Sequence, residues 1–208
     1  MSGPVVGGRS RPLPQLGRRA EAVATVRADW PPKGPEPEKL KRGNAGRQQL
    51  LDRIASAVAH GAKDIRVRLL GRKIILGLPP YDKASQWQRL IDYVAHEIPY
   101  VSDPVDAQVI PEDLQTALAQ EGLDCKGKTI ALMLLAEGVG IETRPVTVDQ
   151  HKDARPPQDH HIYAEALIDG VWVAGDPVLS NIRDDVKAGA ELSYKRKTAW
   201  KTKKERVL

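Results

Sequence analysis

Residues 161–177 carry the pattern that most restricts which folds this chain can adopt. Two runs rich in β-branched and aromatic residues, 161–168 and 171–177, are separated only by Asp169-Gly170. Asp-Gly between two such runs is a strong signal for a β-hairpin with a two-residue loop. The predicted register pairs Ile168 with Val171, Leu167 with Trp172, Glu165 with Ala174, Tyr163 with Asp176 and His161 with Val178.

Alternation of side chains along this hairpin collects polar residues on one face, because opposed residues share a face and the period is two. The residues of that face are His161, Tyr163, Glu165, Trp172 and Asp176. His161 and Asp176 become diagonal neighbours, about 7–8 Å apart at the backbone and within side-chain reach. His160 points the other way, so the spacing selects His161 unless a bulge shifts the register. Glu165 either contacts a substrate or supports the sheet beside Trp172, and the second interpretation is favoured.

The only cysteine, Cys125, opens a second informative stretch. Apolar residues at positions 130, 131, 134 and 135 follow helical spacing, and Gly138 and Gly140 end the pattern. A buried helix that begins at Cys125 would offer the sulfur unpaired backbone N–H groups and the positive end of the helix dipole, which favour the nucleophilic thiolate. The alternative is that Cys125 is a small buried apolar residue.

Other helices are predicted from apolar periodicity and from capping residues. One begins near Asn44, a candidate cap, and ends at Gly61. Residues 64–76 are ambiguous between helix and strand, and helix is favoured, whereas about residues 84–97 form a clear amphipathic helix. Pro111 opens a short helix.

Residues 141–148 are predicted to form a strand, and Pro145 suggests that this strand lies at the edge of its sheet. Trp87 and Trp172 are interpreted as core residues. Together with the hairpin, these elements predict an α+β fold in which N-terminal helices pack on a small antiparallel sheet.

Charge and composition divide the chain into three parts. Residues 1–48 contain seven Pro and seven Gly and carry ten Lys and Arg against four Asp and Glu, which predicts an extended basic arm. Residues 49–182 carry thirteen basic against nineteen acidic residues and are predicted to form the folded domain. Residues 183–208 carry nine basic against four acidic residues and are predicted to be a basic tail. For both end segments the alternatives are contact with a neighbouring subunit, contact with nucleic acid, and simple solvation.

A cysteine, a histidine and an aspartate brought together can perform acyl transfer. Cys125 would attack an amide or ester carbonyl, His161 would hold the thiolate and then protonate the leaving amine, and Asp176 would fix the imidazole tautomer. The backbone N–H of Cys125 is a candidate donor to the oxyanion. The soft ligands available for a competing metal site are Cys125, His151, His160 and His161. Their spacings match no zinc pattern, so neither a metal nor a cofactor is predicted.

Three separated motifs occur in the order and spacing of a known family. They are Gly122-x-Asp124-Cys125-x-x-Lys128, His161-x-Tyr163-x-Glu165 and Trp172-Val173-x-x-Asp176-Pro177. Over about residues 84–180 the chain resembles the transglutaminase-like cysteine proteinase superfamily. The resemblance implies a papain-like α+β core with the cysteine helix packed on an antiparallel sheet. It also implies that Cys125 is the nucleophile, His161 the base and Asp176 the orienting acid of a catalytic triad.

A further segment resembles the version of this family found in tailed-phage and prophage structural gene clusters. It reads Ile98-Pro99-Tyr100-Val101-x-Asp103-Pro104, followed by Pro111. One departure is Lys126-Gly127, because related phage sequences usually carry acidic residues after the cysteine. Gly127 is expected to weaken the first helical turn.

Two hypotheses about function follow. The first is an enzyme, a cysteine peptidase or amidase, or an acyltransferase, that acts on a peptide or protein. The second is a non-catalytic phage structural protein, a tail or head-tail component that uses the fold as a scaffold and its arms to bind neighbours. Partners would then be other phage structural proteins, with nucleic acid as a candidate for the basic tails, and the location would be the virion or the host cytoplasm during assembly. No membrane partner is expected, because the sequence shows no secretory signal and no run of ~20 apolar residues.

Overall fold

The computed structural model describes residues 43–102, 122–149, 160–178 and 197–199, and within them the elements are four helices and one four-stranded sheet. The helices are α1 (Gly43–Gly61), α2 (Ile65–Ile74), α3 (Lys83–Glu97) and α4 (Cys125–Gly138). The strands are β1 (Thr143–Asp149), β2 (His160–Ile168), β3 (Val171–Gly175) and β4 (Lys197–Ala199). Most of the two predicted arms, and the helix predicted at Pro111, lie outside the described residues.

Aspartate side chains cap α2 and α3. Asp64 accepts a hydrogen bond from the N–H of Arg66 (2.8 Å), and Asp82 accepts one from the N–H of Ser85 (3.0 Å). Each cap satisfies one of the backbone donors that a helix start leaves unpaired.

The helix predictions for this part of the chain are confirmed with one correction. The helix favoured over strand within 64–76 is confirmed by α2, which spans Ile65–Ile74, and the amphipathic helix at about 84–97 is confirmed by α3. The predicted cap at Asn44 is wrong, because α1 begins at Gly43 and Asn44 lies inside it. Helix ends are the least certain part of any periodicity argument, since one or two residues at a terminus change the apolar pattern little.

The four strands are antiparallel in the order β3-β2-β1-β4. The predicted hairpin register is confirmed from the pair Ile168–Val171 to Gly175. No bulge interrupts the ladder over these residues. Asp169 and Gly170 both have positive φ angles, 50° and 80°, as a type I′ turn requires.

The predicted edge position of β1 is wrong. Residues Lys197–Ala199 of β4 pair with Val146–Val148, which places β1 inside the sheet. The pairing with β4 begins after Pro145, so the missing N–H of that proline interrupts no rung of the β4 ladder. A three-residue strand in a basic segment has no alternating apolar pattern, so sequence periodicity did not indicate it.

Helix α4 is the centre of the molecule and confirms the prediction of a buried helix from Cys125 onwards. Every residue from Lys126 to Ala136 is buried. The helix packs against α1, α2 and α3 and against the face of β2 formed by Ile162, Ala164, Ala166 and Ile168. The molecule therefore has the predicted α+β architecture, with helices packed on a small antiparallel sheet. Among the described helices, none combines the length and the apolar character that crossing a lipid bilayer demands.

Candidate active site

Cys125 is the first residue of α4 and is partly buried. Asp124 is the N-cap of the helix and accepts a hydrogen bond from the N–H of Gly127 (2.9 Å). The sulfur therefore lies at the N-terminus of the helix. The other backbone N–H groups of the first turn have no hydrogen-bond partner within the helix. The side chain also packs against the main core, so the apolar interpretation of Cys125 describes only part of its environment.

The residue before this cap is held by a short parallel bridge. Leu123 donates its N–H to the carbonyl of Pro99 (2.9 Å) and accepts from the N–H of Val101 (3.1 Å). Tyr100, between them, is 45% exposed. Partial burial raises its pKa, and a hydrogen bond to Ser102 acts in the opposite direction. The bridge therefore holds this segment next to the start of α4.

His161 and Asp176 meet beside the sulfur. Nε2 of His161 lies 2.5 Å from Oδ2 of Asp176, and both residues are buried. The other carboxylate oxygen of Asp176 accepts the N–H of Val178 (3.0 Å), which fixes the carboxylate plane. Cys125 is the other residue that acts on the imidazole, and because Nε2 faces Asp176, Nδ1 is the nitrogen available to it.

Burial alone would disfavour a charge on His161, but it does not decide the protonation state. The hydrogen bonds to Asp176 and Cys125 outweigh it and raise the pKa of His161 to about 9. The structure thus joins His161 and Asp176 directly, and Cys125 is close enough to the ring to contribute to this raised pKa. The backbone of His160 pairs with Asp149, and its side chain lies outside the described atoms.

Lys128, one turn after Cys125, is fully buried. Its Nζ donates to the carbonyls of Val94 (3.1 Å) and Ala95 (3.0 Å), near the end of α3. Desolvation lowers its pKa to about 8, while the nearby charge of Asp176 acts in the opposite direction. In the sequence, Lys128 stands out only as the last residue of the motif that contains Cys125. The available signal was a lysine within an otherwise apolar helix.

A second buried lysine follows the cysteine directly. Lys126 forms an ion pair with the cap residue Asp124, and both side chains are about 7% exposed. The pair neutralises two charges that the interior would otherwise leave uncompensated. The departure from the family pattern at this position therefore places a paired cation beside the thiol.

Two glycines allow close packing around the site. A Cβ on Gly127 would lie 2.9 Å from the side chain of Leu123, so the residue expected to weaken the helix also permits this contact. A Cβ on Gly175 would overlap the indole of Trp87, 2.7 Å from Cε2. Gly175 directly precedes Asp176, so the backbone that carries the carboxylate passes close to Trp87.

The remaining polar residues of the predicted hairpin face form a separate cluster. Arg144 pairs with the buried Glu165 (2.7 Å) and lies over the ring of Trp172 at 4.1 Å. Tyr163 donates to Glu165 at 3.5 Å, and burial and the Glu165 charge raise its pKa. These contacts agree with the favoured interpretation of Glu165 as a support for the sheet or Trp172, and contact with a substrate stays an untested alternative. Trp87 is fully buried as predicted, but Trp172 is only half-buried, because it lies on the sheet face away from α4 under a guanidinium.

Among the described residues, no group of three or more His, Cys, Asp and Glu side chains is arranged to hold a metal ion. His151, one of the ligands considered in the sequence, lies outside the described residues.

Comparisons with known proteins match this part of the chain. The family model of the transglutaminase-like superfamily matches residues 73–177, which is half of the chain and contains Cys125, His161 and Asp176. A candidate cysteine protease from Cytophaga hutchinsonii, solved by crystallography, is similar with a TM-score of 0.47 and 16% sequence identity. That match covers 71% of this chain and 54% of the other, so the chain spans about half the length of the solved protein. The comparison with curated proteins gives no match.

Proposed function

The chain belongs to the transglutaminase-like superfamily, and we propose that it is a thiol enzyme that cleaves or transfers acyl groups at peptide or protein amides. The observation that carries the proposal is the contact between His161 and Asp176 beside Cys125 at the start of α4, together with the raised pKa of the imidazole, about 9. Its geometry matches the roles of nucleophile, base and orienting acid.

The reaction would begin with an ion pair between the Cys125 thiolate and the His161 imidazolium. The sulfur attacks the carbonyl carbon, and the negative charge that develops on oxygen is met by the N–H of Cys125 at the helix start. Collapse of this adduct breaks the C–N bond, while His161 gives its proton to the leaving amine. Asp176 keeps the ring oriented through Nε2. A thioester remains on Cys125.

The fate of the thioester decides between hydrolysis and transfer. Neutral His161 can now take a proton from water or from an amine, which attacks the thioester carbon. The C–S bond then breaks, a carboxylic acid or a new amide leaves, and the proton on His161 returns to the sulfur. Tyr100 and Val101, 45% and 49% exposed next to the helix start, supply an accessible surface for the substrate chain. These side chains suit a peptide or protein better than a highly charged small molecule.

The test uses the fact that the chain has one cysteine. Alkylation by iodoacetamide at mildly acidic pH should be rapid in the wild type, absent in Cys125→Ala and much slower in His161→Gln. His60→Gln serves as a matched control, because His60 is exposed in the last turn of α1, where Nδ1 lies 2.8 Å from the Ser56 carbonyl. Labelling no faster than that of a free thiol and indifferent to His161→Gln would overturn the proposal.

A second candidate, virion association, is favoured by the basic residues that lie in both end segments and by the phage-type motif around Tyr100. On this proposal the protein is a tail or head-tail component whose arms bind other phage structural proteins or nucleic acid. Purified particles would contain the full chain, and a variant lacking residues 1–42 would be depleted from them. Equal amounts of the full chain and the shortened variant in particles would show that the N-terminal arm is not needed for virion association.

A further inference from the structure

A cavity of about 580 Å³ lies at the opposite end of α4 from Cys125. It is bounded by the end of α1, by α2, by the start of α3 and by Gly138–Gly140 after the buried part of α4. The two ends of a 14-residue helix are about 20 Å apart, so this cavity is separate from the candidate active site. Its size is within the range of small-molecule sites, about 300–1,000 Å³.

Three basic side chains line the cavity without a carboxylate partner among the described residues: Lys63, Arg68 and Arg72. A nearby arginine behaves differently. Arg66, on the same helix as Arg68, pairs with Asp64 at 2.5 Å and does not line the cavity. The cavity therefore collects the arginines of α2 that remain available to bind an anion.

The basic side chains of this cavity face little negative charge from the protein. Lys83 also lines it and donates to the carbonyl of Val139 (3.4 Å). Among the lining residues the single carboxylate is that of Glu137, which accepts the N–H of Thr143 (2.6 Å) and its hydroxyl (3.0 Å). Four cations therefore face one carboxylate that is already engaged, and the field in the cavity favours a ligand with more than one negative charge.

We propose that this cavity binds a phosphorylated small molecule. Arg68 and Arg72 are one helical turn apart on α2, so both planar guanidinium groups can reach the same phosphate group, and Lys63 adds charge from the end of α1. Apolar side chains complete the wall, namely Val58, Ala62, Ile75 and Val139. They would contact the organic part of the ligand.

Inorganic pyrophosphate is the probe for the charge cluster, titrated calorimetrically into the full chain at constant ionic strength. The wild type should bind one equivalent saturably. Arg68→Gln and Arg72→Gln should each weaken binding about tenfold or more, because each removes a charge-assisted hydrogen bond. Both side chains are exposed, so the variants should unfold at the wild-type temperature.

Lys73→Gln is the matched control, because it removes the same charge from the neighbouring position on α2 without touching the cavity. Salt in the titration buffer screens a charge that does not contact the ligand, so the affinity of Lys73→Gln for pyrophosphate should stay within about twofold of the wild-type value. Absence of saturable binding, or an equal loss in Lys73→Gln and Arg72→Gln, would overturn the proposal. Duplex DNA that displaces pyrophosphate and depends on Lys73 as strongly as on Arg72 would assign the surface to nucleic acid instead.

Discussion

The two ends of α4 handle charge in opposite ways. At the start of the helix, charged groups are buried and each has a partner: Lys126 with Asp124, His161 with Asp176, and Lys128 with two carbonyls. At the other end, Arg68 and Arg72 are exposed beside an open cavity and have no partner among the described residues. The difference follows from solvent, because a buried charge needs internal compensation whereas an exposed one is compensated by water.

This contrast predicts that substitutions at the two ends of α4 have different effects on stability and on binding. Substitutions at the buried end should change the free energy of unfolding and the geometry around Cys125 together. Substitutions at the open end should leave the fold intact and alter only what binds there. A buried lysine at the start of α4, Lys128, and an exposed lysine near its other end, Lys63, allow the contrast to be tested with matched changes.

The largest expected effect comes from comparing Lys128→Ala with Lys63→Ala. Lys128→Ala leaves a cavity and two buried carbonyls without their donor, and should cost about 4 kcal/mol in the free energy of unfolding. Lys63→Ala changes an exposed side chain and should stay within about 0.5 kcal/mol of wild type. Urea unfolding at neutral pH measures both. Similar losses of unfolding free energy in the two variants would contradict the difference between the two ends of α4.

The next effect is a pH dependence that belongs to His161. Its folded pKa, about 9, lies above the ordinary 6.5, so the folded state binds the extra proton and the stabilisation is fully present below pH 6.5. Between pH 6.5 and pH 9 the free energy of unfolding of the wild type should fall by on the order of 3 kcal/mol more than that of His161→Gln, as measured by urea unfolding. Lys128 contributes with the opposite sign, since its pKa is lowered, but it is present in both proteins. Parallel pH profiles for the two proteins would contradict the buried ion pair.

A smaller loss is expected from Gly175→Ala, at the buried end. The added methyl group would overlap the indole of the fully buried Trp87, and overpacking of this kind costs about 2 kcal/mol. The clash is with the benzo part of the indole, so Trp87→Leu should reduce the cost of Gly175→Ala in a double-mutant cycle. Thermal unfolding of the four proteins gives the coupling. Strict additivity would show that Gly175 tolerates a side chain without displacing Trp87.

Much of the buried end could be predicted from sequence, because local rules decide it. The Asp-Gly turn fixed the hairpin register, which placed His161 and Asp176 within reach, and the apolar spacing after Cys125 indicated the central helix. The partners of Lys128 could not be predicted, since the carbonyls of Val94 and Ala95 are more than thirty residues away in the chain.

The open end escaped prediction for a related reason. Lys63, Arg68 and Arg72 look like an ordinary solvated helix face in sequence, and only the meeting of α1, α2 and the end of α4 makes them line a cavity. Strand β4 is another long-range feature, because its three residues acquire their structure from β1 and not from their own pattern.

The smallest expected effect tests the exposed pair Asp64–Arg66, next to the open end of α4. Asp64→Asn keeps an N-cap acceptor but removes the charge that Arg66 contacts at 2.5 Å. Because both side chains are accessible to water, the loss should be about 0.5 kcal/mol or less, and it should shrink further at high salt. The hydrogen bond to Arg66 lowers the pKa of Asp64, so the contribution is present at neutral pH and disappears as the pH falls through that lowered value. Urea unfolding at low and high salt measures the change. A loss several times larger that persists in high salt would mean that this pair behaves like the buried pairs around Cys125.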